Sequence, residues 1–125
     1  MNKIITIPEA PVMGPYSHAV QVGGLLFSSG QIALDPSTGK LVEGGIEAEV
    51  RQVFANMQGI LSAAGLGFEH IVKTTVFLTD FGDFPVLNTA FAEFFPENPP
   101  ARSCVEVCAL PAGARVEIEL IASIE

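Results

Sequence analysis

The chain has 125 residues, 49% of them apolar and 16% charged, a composition that excludes intrinsic disorder and predicts one domain spanning residues 1–125. Its 6 basic and 14 acidic residues leave a net charge of −8, and because the basic residues are scattered singly, a nucleic-acid-binding or ribonuclease role is disfavoured. The charged fraction lies below the roughly 25% usual in soluble domains, which favours a large buried subunit interface, although a surface rich in serine, threonine, glutamine and glycine would also account for it.

The first third of the chain predicts short strands and turns. Residues 3–7 are rich in β-branched side chains and predict a first strand. Residues 18–22 and 25–29 predict a β-hairpin, because the two glycines at 23–24 between them are typical of a two-residue turn. Residues 35–39, with the sequence DPSTG, have the composition of a further turn.

The middle of the chain predicts two helices on either side of a strand. Apolar residues at positions 46, 50, 53, 54, 57, 60, 61 and 64 recur with the helical period, so we predict a helix over 46–64 that ends at Gly65. Residues 70–79 are β-branched and aromatic, which indicates a buried strand. Residues 85–95 predict a second helix, which ends before Pro96.

The C-terminal part predicts two strands, at 101–110 and 115–124, joined as a hairpin by a turn at 111–114. The full order, β-β-β-α-β-α-β-β, predicts an α+β domain in which both helices cover one face of a mixed sheet. Two helices cover only one face, so the other face needs a partner. We therefore expect an oligomer.

No segment predicts export or membrane insertion. The N-terminus lacks the continuous apolar run of a signal peptide, and no apolar stretch approaches the roughly 18 residues that span a membrane. Cys104 and Cys108 lie in one predicted strand, where about 13 Å would separate their Cα atoms, too far for a disulfide. Free thiols without an export signal predict a cytoplasmic protein.

Three neighbourhoods hold residues suited to binding or catalysis: segment 14–18 with Tyr16, segment 28–31 with Ser29, Gly30 and Gln31, and the C-terminal hairpin with Arg102, Cys104 and Glu117. Glycine at a strand end lets backbone amides face a ligand. A single arginine can hold a carboxylate through two parallel hydrogen bonds. These residues together indicate a candidate anion site.

The register of the predicted hairpin sets the distance between Arg102 and Glu117. Centring the turn near residue 112 places Glu117 opposite residues 106–107, so Arg102 lies four or five residues further along, about 13–16 Å away. Residues this far apart cannot share a small substrate within one chain. If both serve one site, that site lies between subunits.

Each candidate also has a plainer structural interpretation. A lone arginine on a strand is commonly a surface residue, and Cys104 is small enough to be a core residue. His18 and His70 are the candidate bases for a cysteine nucleophile, but the sequence places neither beside a cysteine. Isolated histidines disfavour a metal site, and the glycines match neither a phosphate-binding loop nor a G-x-S-x-G motif. We expect no metal and no cofactor.

Six short motifs occur in order along nearly the whole chain: GPY at 14–16, SGQ at 29–31, DP and TG within 35–39, VKTTVF at 72–77, PARSC at 100–104 and VEIE at 116–119. Together they resemble the reactive intermediate deaminase family, of the RidA or YjgF type. The resemblance implies a chorismate-mutase-like α+β fold and a homotrimer whose sites lie in clefts between subunits. Two positions depart from the family: Phe91 stands where many relatives have tyrosine, and Cys108 is an extra thiol.

The resemblance also implies an activity, the hydrolysis of 2-imino and enamine acids to 2-oxo acids and ammonia by a 2-iminobutanoate/2-iminopropanoate deaminase. In this role Arg102 grips the substrate carboxylate, and Glu117 holds or activates the water that adds to the C=N carbon. Cys104 lines the cleft without attacking, and Tyr16 helps to place the water. The pocket is shaped by Ser29, Gly30, Gln31 and Asn88.

Two other functions stay open on the sequence. A non-enzymatic regulatory protein that binds 2-oxo acids would use the same arginine, although a carboxylate such as Glu117 does not help to bind an anion and favours an enzyme. Ribonuclease activity has been attributed to some members of the family, but the net charge of −8 counts against it.

Overall fold

A six-stranded mixed sheet carries two helices in the computed structural model of the chain, which describes residues 3–7 and 12–125. The strands are β1 (Lys3–Ile5), β2 (Ala19–Val22), β3 (Leu25–Ser28), β4 (Ile71–Leu78), β5 (Ala101–Glu106) and β6 (Val116–Ser123). The helices are α1 (Gly45–Ala63) and α2 (Phe84–Phe94). The order of elements is the predicted one, and the predicted ends differ from the observed ends by at most four residues.

The N-terminal strands form an antiparallel meander, β1-β2-β3. Val22 pairs with Leu25 across the two-residue turn, and Gly23 has a φ of 59° there, a conformation that favours glycine. The turn predicted at 35–39 is also present, because the Gly39 N–H donates to the Asp35 carbonyl oxygen over 2.7 Å. Local sequence therefore specifies this part of the fold.

Helix α1 buries the apolar stripe that its sequence predicts. Val50, Val53, Phe54 and Met57 are fully inaccessible to solvent, as expected for side chains that recur every three to four residues on one side of a helix. The helix ends before Gly65, whose φ of 76° lies in the left-handed region that stops helices.

The predicted C-terminal hairpin is wrong. The strand order is β1-β2-β3-β6-β4-β5, so β4 lies between β5 and β6. Strand β5 runs parallel to β4, with Arg102 opposite Thr74, whereas β6 runs antiparallel to β4, with Glu117 opposite Phe77. The physical reason is the crossover connection through α2, which carries the chain from the end of β4 back to the end of the sheet where β4 begins. Strand β5 therefore runs in the same direction as β4. The eight-residue β4 is long and apolar enough to be paired on both sides.

The two faces of the sheet differ sharply. On β6, Val116, Ile118, Leu120 and Ala122 are buried in the same apolar cluster as the helices, while the alternate residues face away from it. We call the side away from the helices the open face; register and alternation place on it Ile4, Val22, Leu25, Phe27 and Val105. These five large apolar side chains are 39–56% exposed. Both helices thus cover one face, as predicted.

Candidate active site

A cavity of about 200 Å³ opens beside the first half of β6. Four residues singled out from the sequence line it: Tyr16, Gly30, Gln31 and Glu117. The loop after β3 contributes Gln31, whose N–H donates to the Ile118 carbonyl oxygen over 2.8 Å and ties the loop to β6. The cavity therefore contains residues from all three predicted neighbourhoods, although Arg102 and Cys104 of the third neighbourhood do not line it.

Glu117 lies directly on Gly30. A Cβ atom at residue 30 would come within 2.8 Å of Glu117 Cδ and closer still to its carboxylate, so only glycine permits this approach. Burial raises the pKa of the Glu117 carboxyl above its ordinary value, and repulsion from Glu119 raises it further. A carboxyl group with a raised pKa is better suited to exchange a proton with a reacting water.

Ser29 and Tyr16 are held by hydrogen bonds within the loops. The Ser29 hydroxyl donates to the Ser17 carbonyl oxygen over 2.7 Å. The Tyr16 hydroxyl oxygen accepts from the Met13 N–H over 3.2 Å, so its own proton stays available to donate elsewhere. Tyr16 thus lines the cavity with a donor, whereas Ser29 supports the loop behind it.

Sequence reasoning missed most of the remaining cavity wall, which consists of Met13, Ile32, Leu34, Pro36, Asn56 and Pro111. Asn56 projects from α1, and its amide donates to the carbonyl oxygens of Ile32 and Leu34, at 3.3 and 2.9 Å. Asn56 lies beside the buried stripe of α1 rather than within it, so the helical pattern gave no signal for it.

His18 also lines the cavity and is 2% exposed. Its Nδ1 accepts from the Ile7 N–H over 3.2 Å, which assigns the ring proton to Nε2. Among the described residues Nε2 has no hydrogen-bond partner. The sequence had flagged His18 only as a candidate base.

Arg102 lies elsewhere, on the side of the sheet that the helices cover. Its guanidinium carbon is 5.3 Å from the ring centroid of Phe84 and 4.8 Å from that of Phe91, both on α2. Asn88, four residues after Phe84 and three before Phe91, shares their side of the helix by periodicity and is exposed. Arg102 and Asn88 therefore border one patch.

Arg102 differs from the two other arginines, which hold carboxylates. Arg51 pairs with Glu93 and Arg115 with Asp83. In the described part of the chain, Arg102 has neither a salt bridge nor a side-chain hydrogen bond. Its guanidinium N–H groups are free to bind an anion from outside the chain.

Cys104 follows Arg102 on the same face of β5 and packs against the apolar core. Burial raises the pKa of its thiol, against the opposing pull of the Arg102 charge. The thiol is therefore protonated at neutral pH, which suits a residue that lines a site and disfavours a thiolate nucleophile. Cys104 and Cys108 are both free, as predicted, but they do not share a strand, because β5 ends at Glu106 and Cys108 lies beyond it.

Arg102 and Glu117 point to opposite faces of the sheet. Strand β4 separates them. Glu117 lies level with Phe77 and Val105, and Arg102 lies three residues before Val105 on β5. Two strand spacings and three residues correspond to about 14 Å between Cα atoms. The predicted separation is retained, but its cause is the intervening strand rather than the register of a hairpin.

Within residues 3–7 and 12–125, no group of three or more His, Cys, Asp or Glu side chains could hold a metal ion. Neither of the helices in those residues is long and apolar enough to cross a membrane.

Known proteins resemble this chain over nearly its whole length. A family model described as Endoribonuclease L-PSP matches residues 7–124. The 2-iminobutanoate/2-iminopropanoate deaminase of Mus musculus is 48% identical over 123 residues, which cover 98% of this chain and 91% of the mouse protein. A Rid-family protein of unknown function from Yersinia pestis superposes with a TM-score of 0.94 at 46% identity, covering 98% of this chain and 99% of that one. A putative endoribonuclease from Thermotoga maritima superposes with a TM-score of 0.95 at 43% identity, covering 100% and 99%.

Proposed function

This chain belongs to the reactive intermediate deaminase family, of the RidA/YjgF type, and from that membership and the two groups of residues described above we propose that it hydrolyses small 2-imino acids to 2-oxo acids and ammonia. The mouse relative is named for the imines of butanoate and propanoate, and these set the expected size of substrate. We place the reaction in the cytoplasm, which suits two free cysteines.

The observation that carries the proposal is the unpaired guanidinium of Arg102. A 2-imino acid has one fixed anionic group, its carboxylate, and Arg102 has free N–H groups in a planar fork that matches it. Asn88 borders the same patch and offers an amide to the rest of the substrate. Cys104 lines the patch as a neutral thiol.

Glu117 supplies the hydrolytic step. Water adds to the electrophilic C=N carbon, and the Glu117 carboxylate accepts the proton that the water loses. Glu117 then gives that proton to the nitrogen of the tetrahedral adduct, and the C–N bond breaks to release ammonia. The remaining hydroxyl group loses its proton to Glu117 and becomes the C=O of the 2-oxo acid. Tyr16 donates a hydrogen bond that orients the water, and the loop of Ser29, Gly30 and Gln31 holds Glu117 in place.

The residues around Arg102 and those around Glu117 can form one site only if they come from two different chains. Arg102 and Glu117 lie about 14 Å apart on opposite faces, so the Glu117 side of one chain must face the Arg102 side of another. The open face, with its five exposed apolar side chains, supplies a surface for that contact. We propose a homotrimer of single-domain subunits with one site in each cleft.

Mutation of Arg102 tests the anchor. Imine is generated from threonine by a pyridoxal-phosphate-dependent dehydratase, and its loss is followed by competition with semicarbazide trapping. Loss of a charge-assisted contact worth about 1.5–3 kcal/mol predicts that Arg102→Ala lowers kcat/KM about 10- to 150-fold. Arg102→Lys keeps the charge without the fork and should recover little. Arg51→Ala removes an exposed arginine and is the matched control.

Mixing variants tests the shared site. Arg102→Ala and Glu117→Gln chains are unfolded and refolded together in equal amounts. If each site takes Arg102 from one chain and Glu117 from another, about one quarter of all sites in the mixture regain both residues. An inactive mixture would exclude a shared site, and unchanged imine loss in Arg102→Ala alone would exclude the hydrolase mechanism.

Ribonuclease activity is the second candidate, because the matching family model and the Thermotoga maritima structure carry that description. The net charge of −8 opposes binding of a polyanion. RNA cleavage that survives repurification and disappears in Arg102→Ala would decide for it. Tight 2-oxo-acid binding without imine turnover would instead decide for a regulatory binding protein.

A further inference from the structure

The side chain of Arg102 rests on aromatic rings instead of on a carboxylate. Its guanidinium carbon lies 4.8 Å from the centroid of Phe91 and 5.3 Å from that of Phe84, within the distance at which a cation is attracted to a ring face. We propose that Phe84 and Phe91 form an aromatic seat that positions the Arg102 guanidinium for the substrate carboxylate. The inference rests on the proposed function and extends it to two positioning residues.

The spacing of the two rings explains how they hold one guanidinium. Phe84 and Phe91 are seven residues apart on α2, which places them on one side of the helix, two turns and about 10.5 Å apart along its axis. The guanidinium lies within about half that distance of each centroid, so it occupies the gap between them. One guanidinium group therefore contacts two rings that lie two turns apart on α2.

The rings are themselves held in place. Phe91 packs edge-on against Phe54, with centroids 5.4 Å apart, and at 5.5 Å against Phe95. Phe84 stacks on Phe81 with centroids 5.1 Å apart and planes 10° from parallel. A seat anchored in the core restricts the rotamers of Arg102 before any ligand arrives, and such preorganisation lowers the entropic cost of binding.

The contrast with the other arginines shows what the seat achieves. The guanidinium of Arg115 donates to both carboxylate oxygens of Asp83, at 2.9 and 3.2 Å, so those N–H groups are occupied. A ring face attracts the positive charge without accepting those hydrogen bonds. Arg102 is thus oriented while its donors stay free, which a carboxylate partner could not provide.

The seat is tested by removing one ring at a time. Phe84→Leu and Phe91→Leu should each raise the dissociation constant of 2-oxobutanoate, the product of the proposed reaction, about fivefold, equal to about 1 kcal/mol. KM for the imine should rise by the same factor while kcat changes little. Phe91→Tyr retains a ring face and should stay within about twofold of the wild type. Phe68→Leu is the matched control, because Phe68 packs against Phe54, Phe94 and Phe95 but does not lie beneath Arg102.

A second readout reports on Arg102 directly. Ring currents should shift the Arg102 Nε–Hε resonance in ¹H–¹⁵N spectra of the unliganded protein. That shift should shrink in Phe84→Leu and Phe91→Leu and persist in Phe91→Tyr and Phe68→Leu. Phe84 is only half-buried, so Phe84→Leu provides a folded variant even if Phe91→Leu is unstable.

The outcomes separate the seat from the hydrolase. Imine turnover by the wild type, with an unchanged dissociation constant and an unchanged Arg102 resonance in both leucine variants, would overturn the seat and leave the hydrolase intact. Absence of turnover by the wild type, with both readouts shifted as expected, would overturn the hydrolase and support the seat as part of a carboxylate-binding site.

Discussion

Replacing Gly30 with alanine should separate activity from stability. The added Cβ atom would lie 2.8 Å from Glu117 Cδ, whereas ordinary contacts of this kind span 3.4–4 Å. Glu117 is the flexible and half-exposed partner, so its carboxyl group would withdraw from the backbone of residue 30. The shift needed to restore ordinary contact is on the order of 1 Å.

A displacement of this size has different consequences for catalysis and for folding. Misplacing a reacting group by about 1 Å lowers the rate about 100-fold, equal to about 2.7 kcal/mol of activation free energy. Gly30 has a φ outside the positive range, so alanine fits its backbone and should stabilise the fold by about 0.4–1 kcal/mol through the unfolded chain. We therefore expect Gly30→Ala to be a stable and nearly inactive protein.

The assay is the semicarbazide competition described above, combined with urea unfolding of the same samples. Gly59→Ala is the matched control, because a Cβ atom at that exposed position of α1 would meet no atom within 4 Å. That variant should keep full activity and gain stability. A kcat/KM for Gly30→Ala within threefold of the wild type would refute the assigned contact between Gly30 and Glu117. An unfolding free energy lowered by more than about 1 kcal/mol would instead show that Glu117 does not withdraw from the added Cβ atom.

Two further predictions concern charge. Because Glu119 raises the pKa of Glu117, Glu119→Gln should move the acid limb of the kcat/KM pH profile to lower pH, and an unmoved limb would show that Glu117 is not the titrating base. A carboxyl group whose pKa is raised on folding makes the folded protein less stable as pH rises through that pKa. Glu117→Gln should therefore abolish turnover yet raise the melting temperature at pH 7. A lower melting temperature would contradict burial as the cause of the raised pKa. Asp83→Ala removes the nearly buried carboxylate of the pair with Arg115 and should lower the free energy of unfolding in urea by about 1.5–3 kcal/mol. Glu93→Ala removes the carboxylate of the pair with Arg51, in which both side chains are about half-exposed, and should lower that free energy by under about 1 kcal/mol. Equal losses would show that burial does not set the strength of these pairs.

Local patterns predicted most elements of the fold because their causes are local. The helical period of residues 46–64 appears as α1, and the glycine pair at 23–24 forms the turn between β2 and β3. Each depends on residues close together in the sequence, so a short segment contains the interactions that form it. The free state of Cys104 and Cys108 is confirmed, but the single strand from which it was predicted is not, because β5 ends at Glu106.

Strand pairing was predicted wrongly at the C-terminus because it is not local. Two strands separated by a short turn are most simply joined as a hairpin, but β4 is inserted between β5 and β6. What decides the order is the pairing of β4 on both edges and the crossover through α2, which involve residues up to 51 positions apart. No window around residues 101–124 contains that information.

The sequence by itself determined which side chains could do chemistry and which face of each strand they share. Arg102, Cys104 and Glu117 were identified from residue type and alternation before any pairing was known. Only the tertiary structure decided their surroundings: Glu117 lies on Gly30 beside a cavity, and Arg102 lies over two rings of α2 on the opposite face. The physical reason is that alternation follows from the backbone of a single strand, whereas neighbours across a sheet and beneath a helix are set by the summed burial of segments far apart in the chain.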